Sequence, residues 1–387
     1  MGYRKFYNYG ILLICMHLST SCITSFTPSG LETQGGTLVI EGDIILNSDS
    51  KVFLSFSNAL DDFNAISYLS NAQVWVESSM GEQYTGVVTF DANARPYYLV
   101  PTNNLNPAQQ YKLCVHLSGQ QYESDLLTPW VAPEIDSIEF AVDDTKTWVD
   151  FFVTSYGDAN DSRYYKWTFR EDWEFASTYF TQYYYDPDVD KILPYPANPP
   201  IYYCWNQSES SSILIARTDH LHDNTVFQQK LLTIDNRSLK ISYLYSMELY
   251  QMSISQEAYI YWSALKKNTE EIGGIFAPQP SEMYGNIHCM TDPGIKVLGY
   301  ISAGTLAAKR IFASRQDIGI FIPYLCPFYV PEPDLIPPPT DKELYEMGYM
   351  VVKEDADTPH EWASRYCVDC NARGTKNKPS YWPNNHL

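Results

Sequence analysis

Short segments in which apolar and polar residues alternate, separated by turn residues, fill the chain from residue 37 to residue 126. In one of them Val74 and Val76 alternate with Gln73 and Trp75. Successive side chains of a β-strand point to opposite faces, so this alternation predicts strands that bury one face. Short strands at such regular spacing are typical of an antiparallel, immunoglobulin-like β-sandwich, which we predict for residues 37–128.

A second β-rich domain is predicted for residues 134–322, after the proline-bounded segment Thr128–Pro133. The alternating pattern resumes there and is clearest in Ser242–Met252. The remaining residues, 323–387, read as a proline-rich C-terminal extension that carries a CxxC pair. The fold class is therefore mostly β.

One main α-helix is expected within the second domain, at about residues 253–272. Its start, Ser253-Ile254-Ser255-Gln256, resembles a capping box. Ala258, Trp262 and Leu265 then fall on one helical stripe, and charged residues lie off it. An apolar stripe of this kind predicts a helix that seals one side of the second domain.

The first residues have the layout of a bacterial lipoprotein signal. A basic tip precedes a short apolar run, and small residues lead into Cys22. The run is shorter than the about 20 apolar residues of a membrane span and suits the core of a signal peptide. We predict a signal peptide at residues 1–21, lipidation of Cys22 (palmitate among its acyl chains) and a tether over residues 22–36. An ordinary cleaved signal with an incidental cysteine is the alternative.

This anchor predicts attachment to the outer membrane. The sequence after Cys22 indicates which face of that membrane the protein occupies. Some surface-exported bacterial lipoproteins carry an acidic cluster directly after the lipidated cysteine, and this chain has none there. The periplasmic face is therefore favoured over the cell surface.

The charge of the chain excludes one class of partner. Its formal net charge of −20 leaves nothing to neutralise phosphates, so nucleic acid is not expected as a partner. The 32 tyrosines and nine tryptophans favour strands, and such rings can also stack on sugars.

Six cysteines remain once the signal and the lipid anchor are set aside, and an even number in an oxidising compartment predicts disulfides. Six cysteines allow 15 pairings, which sequence does not distinguish. The CxxC pair is predicted to form a disulfide, either locally or with neighbouring cysteines; a redox site and half of a metal site are the alternatives. The sequence shows neither the second CxxC of a zinc ribbon nor a βαβ setting. The candidate disulfide cysteines are Cys114, Cys204, Cys289, Cys326, Cys367 and Cys370.

Motifs with catalytic or metal-binding chemistry are incomplete. Ser263 and Lys266 form an SxxK whose partner motifs are missing. Residues 299–304 miss the GxSxG spacing by one residue, and residues 219–223 offer two histidines without an evident third ligand. Acidic residues at 186–190 lack the glycine and distal glutamate of an EF-hand loop. We therefore predict no catalytic residue, no metal and no cofactor, and hence no enzyme.

Two further features are candidate sites. Ser137, in Asp136-Ser137-Ile138, fits the Asp-Ser/Thr-aliphatic triplet at which some bacteria O-glycosylate exported proteins. Residues 172–205 are rich in aromatic residues and proline, and exposed coplanar rings there would bind a glycan, whereas buried rings would exclude that use. The candidate aromatic ligand surface is Trp173, Tyr183, Tyr184, Tyr185, Tyr202 and Trp205.

A series of short motifs, spread in order over nearly the whole chain, carries a family resemblance. They are Cys22-Ile23, Leu38–Gly42, Ile135–Ile138, Cys204-Trp205, Tyr250-Gln251 through Trp262, Gly285–Ile287, Gly299-Tyr300 with Lys309-Arg310, and Cys367–Cys370 through Trp382. The chain resembles the Bacteroidota lipoproteins grouped as DUF4249, a domain of unknown function. The resemblance implies an outer-membrane-associated lipoprotein, of a kind often encoded near TonB-dependent transporters, and it implies no catalytic residues.

The function expected from these features is that of a non-enzymatic lipoprotein, an accessory or scaffold to a TonB-dependent transporter or another envelope complex. The alternative is a glycan- or ligand-binding envelope lipoprotein that uses its aromatic loops.

Overall fold

The computed structural model describes residues 36–58, 66–91, 93–197, 199, 201–270, 285–329, 339–354 and 360–384. The predicted signal peptide (1–21), the anchor Cys22 and the tether up to residue 35 lie outside the described residues. The described chain is mostly β, as predicted, with several antiparallel sheets. Within these ranges, none of the helices has the length and apolar composition needed to cross a membrane.

The strands are short in the first third of the chain and longer afterwards. In chain order they are β1 (Leu38–Gly42), β2 (Ile44–Ile45), β3 (Ser50–Phe56), β4 (Gln73–Ser78), β5 (Gln83–Thr85), β6 (Val87–Phe90), β7 (Pro96–Val100), β8 (Tyr111–Leu117), β9 (Gln120–Ser124), β10 (Ile135–Val142), β11 (Trp148–Tyr156), β12 (Tyr164–Ala176), β13 (Tyr183–Asp186), β14 (Lys191–Pro194), β15 (Tyr203–Glu209), β16 (Leu214–Arg217), β17 (Thr225–Asp235), β18 (Leu244–Ser253), β19 (Ile287–Cys289), β20 (Val297–Leu298), β21 (Ala303–Gly304), β22 (Leu306–Ser314), β23 (Phe328–Tyr329), β24 (Tyr349–Lys353) and β25 (Glu361–Ser364). The helices are α1 (Gln256–Glu270), α2 (Arg315–Ile318), α3 (Asp341–Glu346) and α4 (Arg365–Val368), with short 3-10 turns at Leu239–Ile241 and Cys370–Ala372.

The first sandwich packs two five-stranded sheets, in the strand orders β20-β1-β3-β7-β6 and β19-β9-β8-β4-β5. The predicted alternation decides which side chains fill its core. On β8, Tyr111, Leu113 and Val115 are buried in the core, where they meet Val74 and Val76 of β4. Burial of this apolar face is the main force that holds the two sheets together.

Residues 285–304 return to this first sandwich, although the predicted second domain (134–322) contains them. They add β19 beside β9 and β20 parallel to β1, and β21 pairs in parallel with β2. Asn286 clamps the returning segment, because its side chain accepts from the Ile301 N–H at 2.9 Å and donates to the Ile301 carbonyl at 2.8 Å. Gly299 has a φ of +129°, and a Cβ there would lie 2.0 Å from the Ile40 carbonyl oxygen, so only glycine fits.

The second sandwich packs the sheet β10-β11-β17 against the sheet β15-β12-β18-β22, with β16 beside β12. Between them the fully buried Gln251 links both sheets to the boundary segment. It accepts from the Trp167 indole at 2.9 Å and donates to Ser155 Oγ at 2.9 Å and to the Pro133 carbonyl at 2.8 Å. All of its strong hydrogen-bonding groups are thereby used, as burial of an amide requires.

Helix α1 packs where the two sandwiches meet. Ala258 forms a small core with Ile45 of the first sandwich and Ile254 of the second, and Trp262 packs against it. Beside this core Lys166 pairs with Asp43 at 2.5 Å and lies 4.7 Å from the centre of the Trp262 ring. The predicted sealing helix thus also joins the two sandwiches.

The cap of α1 differs from the predicted one. Ser255, and not Ser253, accepts the capping hydrogen bond, from the Ala258 N–H at 3.1 Å. Ser253 ends β18 and is fully buried.

Candidate functional site

Two disulfides fix the C-terminal part of the chain to the second sandwich. Cys204 of β15 bonds to Cys370, and Cys326 bonds to Cys367. Each cysteine of the CxxC pair therefore bonds a cysteine distant in sequence. This corrects the redox and metal alternatives, because the two sulfurs do not form the CxxC disulfide of a redox site and neither is a free thiolate that could bind a metal. We call residues 323–329, 339–354 and 360–384 the C-terminal layer.

The two remaining candidate disulfide cysteines, Cys114 and Cys289, are free and buried, which corrects their prediction. Cys114 lies opposite Glu123 of β9, and Cys289 lies opposite Tyr122. Neighbouring residues of a strand point to opposite faces, so the two thiols lie on opposite faces of one sheet. Burial raises the pKa of the Cys114 thiol to about 12, which leaves it unreactive.

The C-terminal layer also packs along the edge strand β15 and beside β12. The backbone of Thr375 exchanges two 2.8 Å hydrogen bonds with that of Trp205. The Trp382 indole donates to the buried Glu174 carboxylate at 2.8 Å. Arg373 lies between two rings, with its guanidinium 5.2 Å from Phe175 and 4.6 Å from Tyr366. The layer thus covers this edge of the second sandwich and contacts both faces of the sheet there.

Beside the second disulfide, the layer leaves apolar side chains exposed. Leu325 is 87% exposed although it adjoins the buried Cys326. The exposed rings of Tyr324 and Tyr366 lie 6.5 Å apart, and the exposed Phe328 stacks on Tyr179 at 4.2 Å. Large apolar groups grouped on a rigid support are typical of protein-binding surfaces. We call Tyr324, Leu325, Phe328 and Tyr366 the stapled surface.

A charged cluster lies near this layer, on the outer face of β12, β18 and β22. The buried Asp172 pairs with Arg170 at 2.9 Å and with Arg310 at 3.6 Å, and Arg310 also pairs with Glu248 at 2.5 Å. Tyr381 covers the cluster with its ring 3.8 Å from the Arg310 guanidinium. Burial and a hydrogen bond to Asp172 raise the pKa of Tyr381 to about 12. The two arginines balance the two carboxylates, so the cluster has no net charge that would attract a charged ligand. Its contacts with Tyr381 hold the C-terminal layer against the sheet.

A second cluster lies inside the sandwich around the buried Glu171. Its carboxylate accepts from Tyr245 at 2.8 Å and from Ser208 at 2.8 Å, and it pairs with Lys240 at 2.5 Å. Burial and the Glu171 charge raise the pKa of Tyr245 well above its ordinary value. These partners compensate the burial of a carboxylate, which would otherwise be costly.

The predicted aromatic surface does not form a platform. Trp173 and Tyr185 are buried, and the other four candidates, Tyr183, Tyr184, Tyr202 and Trp205, are half-buried. The Tyr202 ring meets that of Tyr203 edge-on, at an interplanar angle of 80°. These rings serve packing, and the coplanar exposed pair that a sugar would stack on is not among the six.

The other predicted motifs lie apart from one another. Ser137 is half-buried on the edge strand β10. Lys266 donates to the Ile213 carbonyl at 3.0 Å, which ties α1 to the sheet. His220 and His222 are exposed beside their own aspartates. Among the described residues, no group of three or more His, Cys, Asp or Glu side chains could hold a metal.

Sequence reasoning missed the stapled surface. Its signal was present in Pro323-Tyr324-Leu325-Cys326-Pro327-Phe328, a run of large apolar residues between prolines. Apolar residues in a loop-like segment usually pack inward, and only the disulfide to Cys367 shows that this loop is held at the surface with Leu325 facing water.

Comparison with known proteins gives one family. The family model described as "Domain of unknown function (DUF4249)" matches residues 23–310. No curated protein matches the chain. Among solved structures, a chain titled "Biofilm associated protein - B domain" aligns at 8% identity over 72% of this chain and 86% of that chain, with a TM-score of 0.13. A score of this size supports no inference about the fold. The C-terminal layer follows the matched residues.

Proposed function

This chain belongs to the DUF4249 family, and we propose that it is a non-enzymatic outer-membrane lipoprotein that binds a TonB-dependent transporter through its stapled surface. Cys22 is the lipid anchor, and the domains lie on the periplasmic face. The single observation that carries the proposal is the set of exposed apolar side chains beside the Cys326–Cys367 disulfide.

The disulfides support the compartment. Bonds of this kind form and persist in the periplasm and outside the cell, and are rare in the cytosol. Two such bonds between residues far apart in sequence hold the C-terminal layer.

The form of the surface supports a protein partner. Hot spots of protein interfaces are rich in aromatic residues held in place before binding, so that little conformational entropy is lost. Tyr324, Phe328 and Tyr366 are such residues, and each lies within two residues of a cysteine of the Cys326–Cys367 disulfide, which restrains the backbone there.

The anchor is tested by Cys22→Ala. We expect the variant to move from the membrane fraction to the soluble periplasmic fraction, because the acyl chains would be lost. Unchanged membrane association would show that Cys22 is not the anchor.

The partner is tested by pull-down of the tagged protein from detergent-solubilised outer membranes, with mass spectrometry of the recovered barrels. We expect a TonB-dependent transporter at near-stoichiometric yield, and at least tenfold less with Leu325→Glu, which places a charge in the surface. Phe227→Glu, at an exposed apolar residue of β17, is the matched control. Recovery of no transporter would contradict the proposed function, and equal recovery with Leu325→Glu would contradict the assigned surface.

A further inference from the structure

One side of the first sandwich is formed by a single continuous segment, residues 83–90. Its first half, β5, is the last strand of one sheet, and its second half, β6, is the last strand of the other. Gly86 makes the crossing: its N–H donates to the Val74 carbonyl at 2.8 Å, and a Cβ there would lie 3.0 Å from Val100. In the part of the chain that the structure describes, no strand pairs with the outer side of this segment.

The backbone of β6 offers hydrogen-bonding groups to that open side. The Asp91 N–H donates to the Arg95 carbonyl at 3.0 Å, and the Arg95 N–H donates to the Asp91 carboxylate at 2.9 Å, so these two residues direct their hydrogen-bonding groups toward each other. Such pairs alternate along an antiparallel ladder, so the next pair, Phe90 with Pro96, makes no ladder bonds. Proline is suitable at position 96, because a pair without ladder bonds requires no N–H from that residue toward β6. It follows that Phe90 and Val88 direct their N–H and C=O groups outward.

The side chains of the segment lack the usual protection of a sheet edge. Residues 83–90 contain no charged residue and no proline, the two devices that most often prevent strand addition. Val87 and Phe90 are each 63% exposed, and Val88 is 39% exposed. Val88 lies opposite Tyr98, whose ring is in the core, so a strand added beside β6 would extend the core over Val88.

The charges near residues 83–90, together with the net charge of the chain, indicate which kind of strand would bind there. Glu82 precedes the segment and has no cationic partner among the described residues, whereas Asp91 after it pairs with Arg95 at 2.6 Å. The chain as a whole carries −20, so a second copy would meet like charge. A partner with basic residues beside its strand would instead be attracted by the unpaired charge of Glu82 and by the negative charge of the whole chain.

We propose that residues 83–90 bind an extended segment of a protein partner by strand addition, and that this segment has β-branched or aromatic residues flanked by lysine or arginine. Main-chain hydrogen bonds would supply the affinity, and alternate side chains the specificity. The site goes beyond the proposed function, since it lies on the first sandwich and uses none of the stapled surface.

The test is selection from a phage library of random octapeptides on the immobilised mature protein, followed by dissociation constants of synthetic peptides. We expect enrichment of alternating β-branched and aromatic residues with lysine or arginine at the ends. Val88→Pro removes an outward N–H and spares the bonds to β7, so it should weaken selected peptides at least fivefold. Val88→Ala keeps that N–H and is the matched control. Glu82→Gln should weaken lysine-flanked peptides about two- to fivefold.

Thermal unfolding shows that each variant is folded before its binding is compared. The proposal is overturned if no peptide family is enriched, or if the peptides bind the folded Val88→Pro variant as tightly as Val88→Ala. It is also overturned if the protein is a dimer in solution that Val88→Pro converts to a monomer, since the occupant is then a second copy. Leu325→Glu leaves residues 83–90 intact, so retained peptide binding with lost transporter binding separates the two surfaces.

Discussion

Removal of the Cys326–Cys367 disulfide should release the stapled surface. The bond joins residues with a sequence separation of 41, for which the chain-entropy relation gives about 4 kcal/mol, and measured values are typically 2–4 kcal/mol. The double variant Cys326→Ala with Cys367→Ala leaves no free thiol and keeps the Cys204–Cys370 bond. We therefore expect the free energy of local opening at β23 to fall by about 2–4 kcal/mol.

Amide hydrogen exchange measures this opening directly, because exchange reports local unfolding separately from global unfolding. The ladder that pairs Phe328 with Ala363 and Tyr329 with Trp362 is the region to follow. A decrease of 2–4 kcal/mol corresponds to exchange roughly 30- to 800-fold faster. Amides of β1 and β3 in the first sandwich should be unaffected.

Cys114→Ala is the control for loss of a buried cysteine, since Cys114 is free and lies in the first sandwich. It should leave exchange at Ala363 unchanged. If the double variant also leaves exchange at β23 and β25 unchanged, the layer is held by its non-covalent contacts alone, and the entropic argument for the stapled surface is wrong.

Two further predictions concern single side chains. Gln251→Leu should lower the free energy of unfolding by about 2–4 kcal/mol in urea denaturation, because the Trp167 N–H and the Pro133 carbonyl would be buried without partners. Gln182→Leu, at an exposed glutamine, should change it by less than about 0.5 kcal/mol. Hydrogen bonds from the Thr145 hydroxyl and from backbone N–H groups lower the pKa of Asp143 from 3.8 to about 2. Its contribution to stability is therefore complete above its unfolded pKa and is lost as the pH falls from about 4 to about 2, and an NMR titration that gives a pKa near 3.8 would contradict this.

Local patterns predicted the local structure. Alternation along β8 identified which of its residues enter the core, because the side-chain period of a strand is independent of what the strand pairs with. The apolar stripe likewise placed α1 within a few residues of its observed bounds, Gln256–Glu270. The cap was misplaced because Ser253 and Ser255 are both suitable N-caps, and the choice depends on where β18 ends.

The disulfide pairing could not be predicted from the sequence, because the partners of the two CxxC cysteines are distant in the chain. Two cysteines three positions apart suggest a shared role, since their side chains are close whatever the fold. Cys367 lies in α4 and Cys370 begins the following 3-10 turn, so the chain turns between them. One sulfur then reaches Cys326 within the layer and the other reaches Cys204 on the sandwich. Only the tertiary arrangement supplies those partners.

The returning segment explains why the domain organisation is hard to read from the sequence. β19, β20 and β21 contain three, two and two residues, too few for a periodic pattern to show which sheet they join. Yet Ile287, Val297 and Ile301 lie in the first core, and Trp130 of the boundary segment bonds to the same stretch through the Ala303 carbonyl. The first sandwich therefore closes on one side only when residues far along the chain reach it, and on the other side it ends in the unprotected edge at residues 83–90.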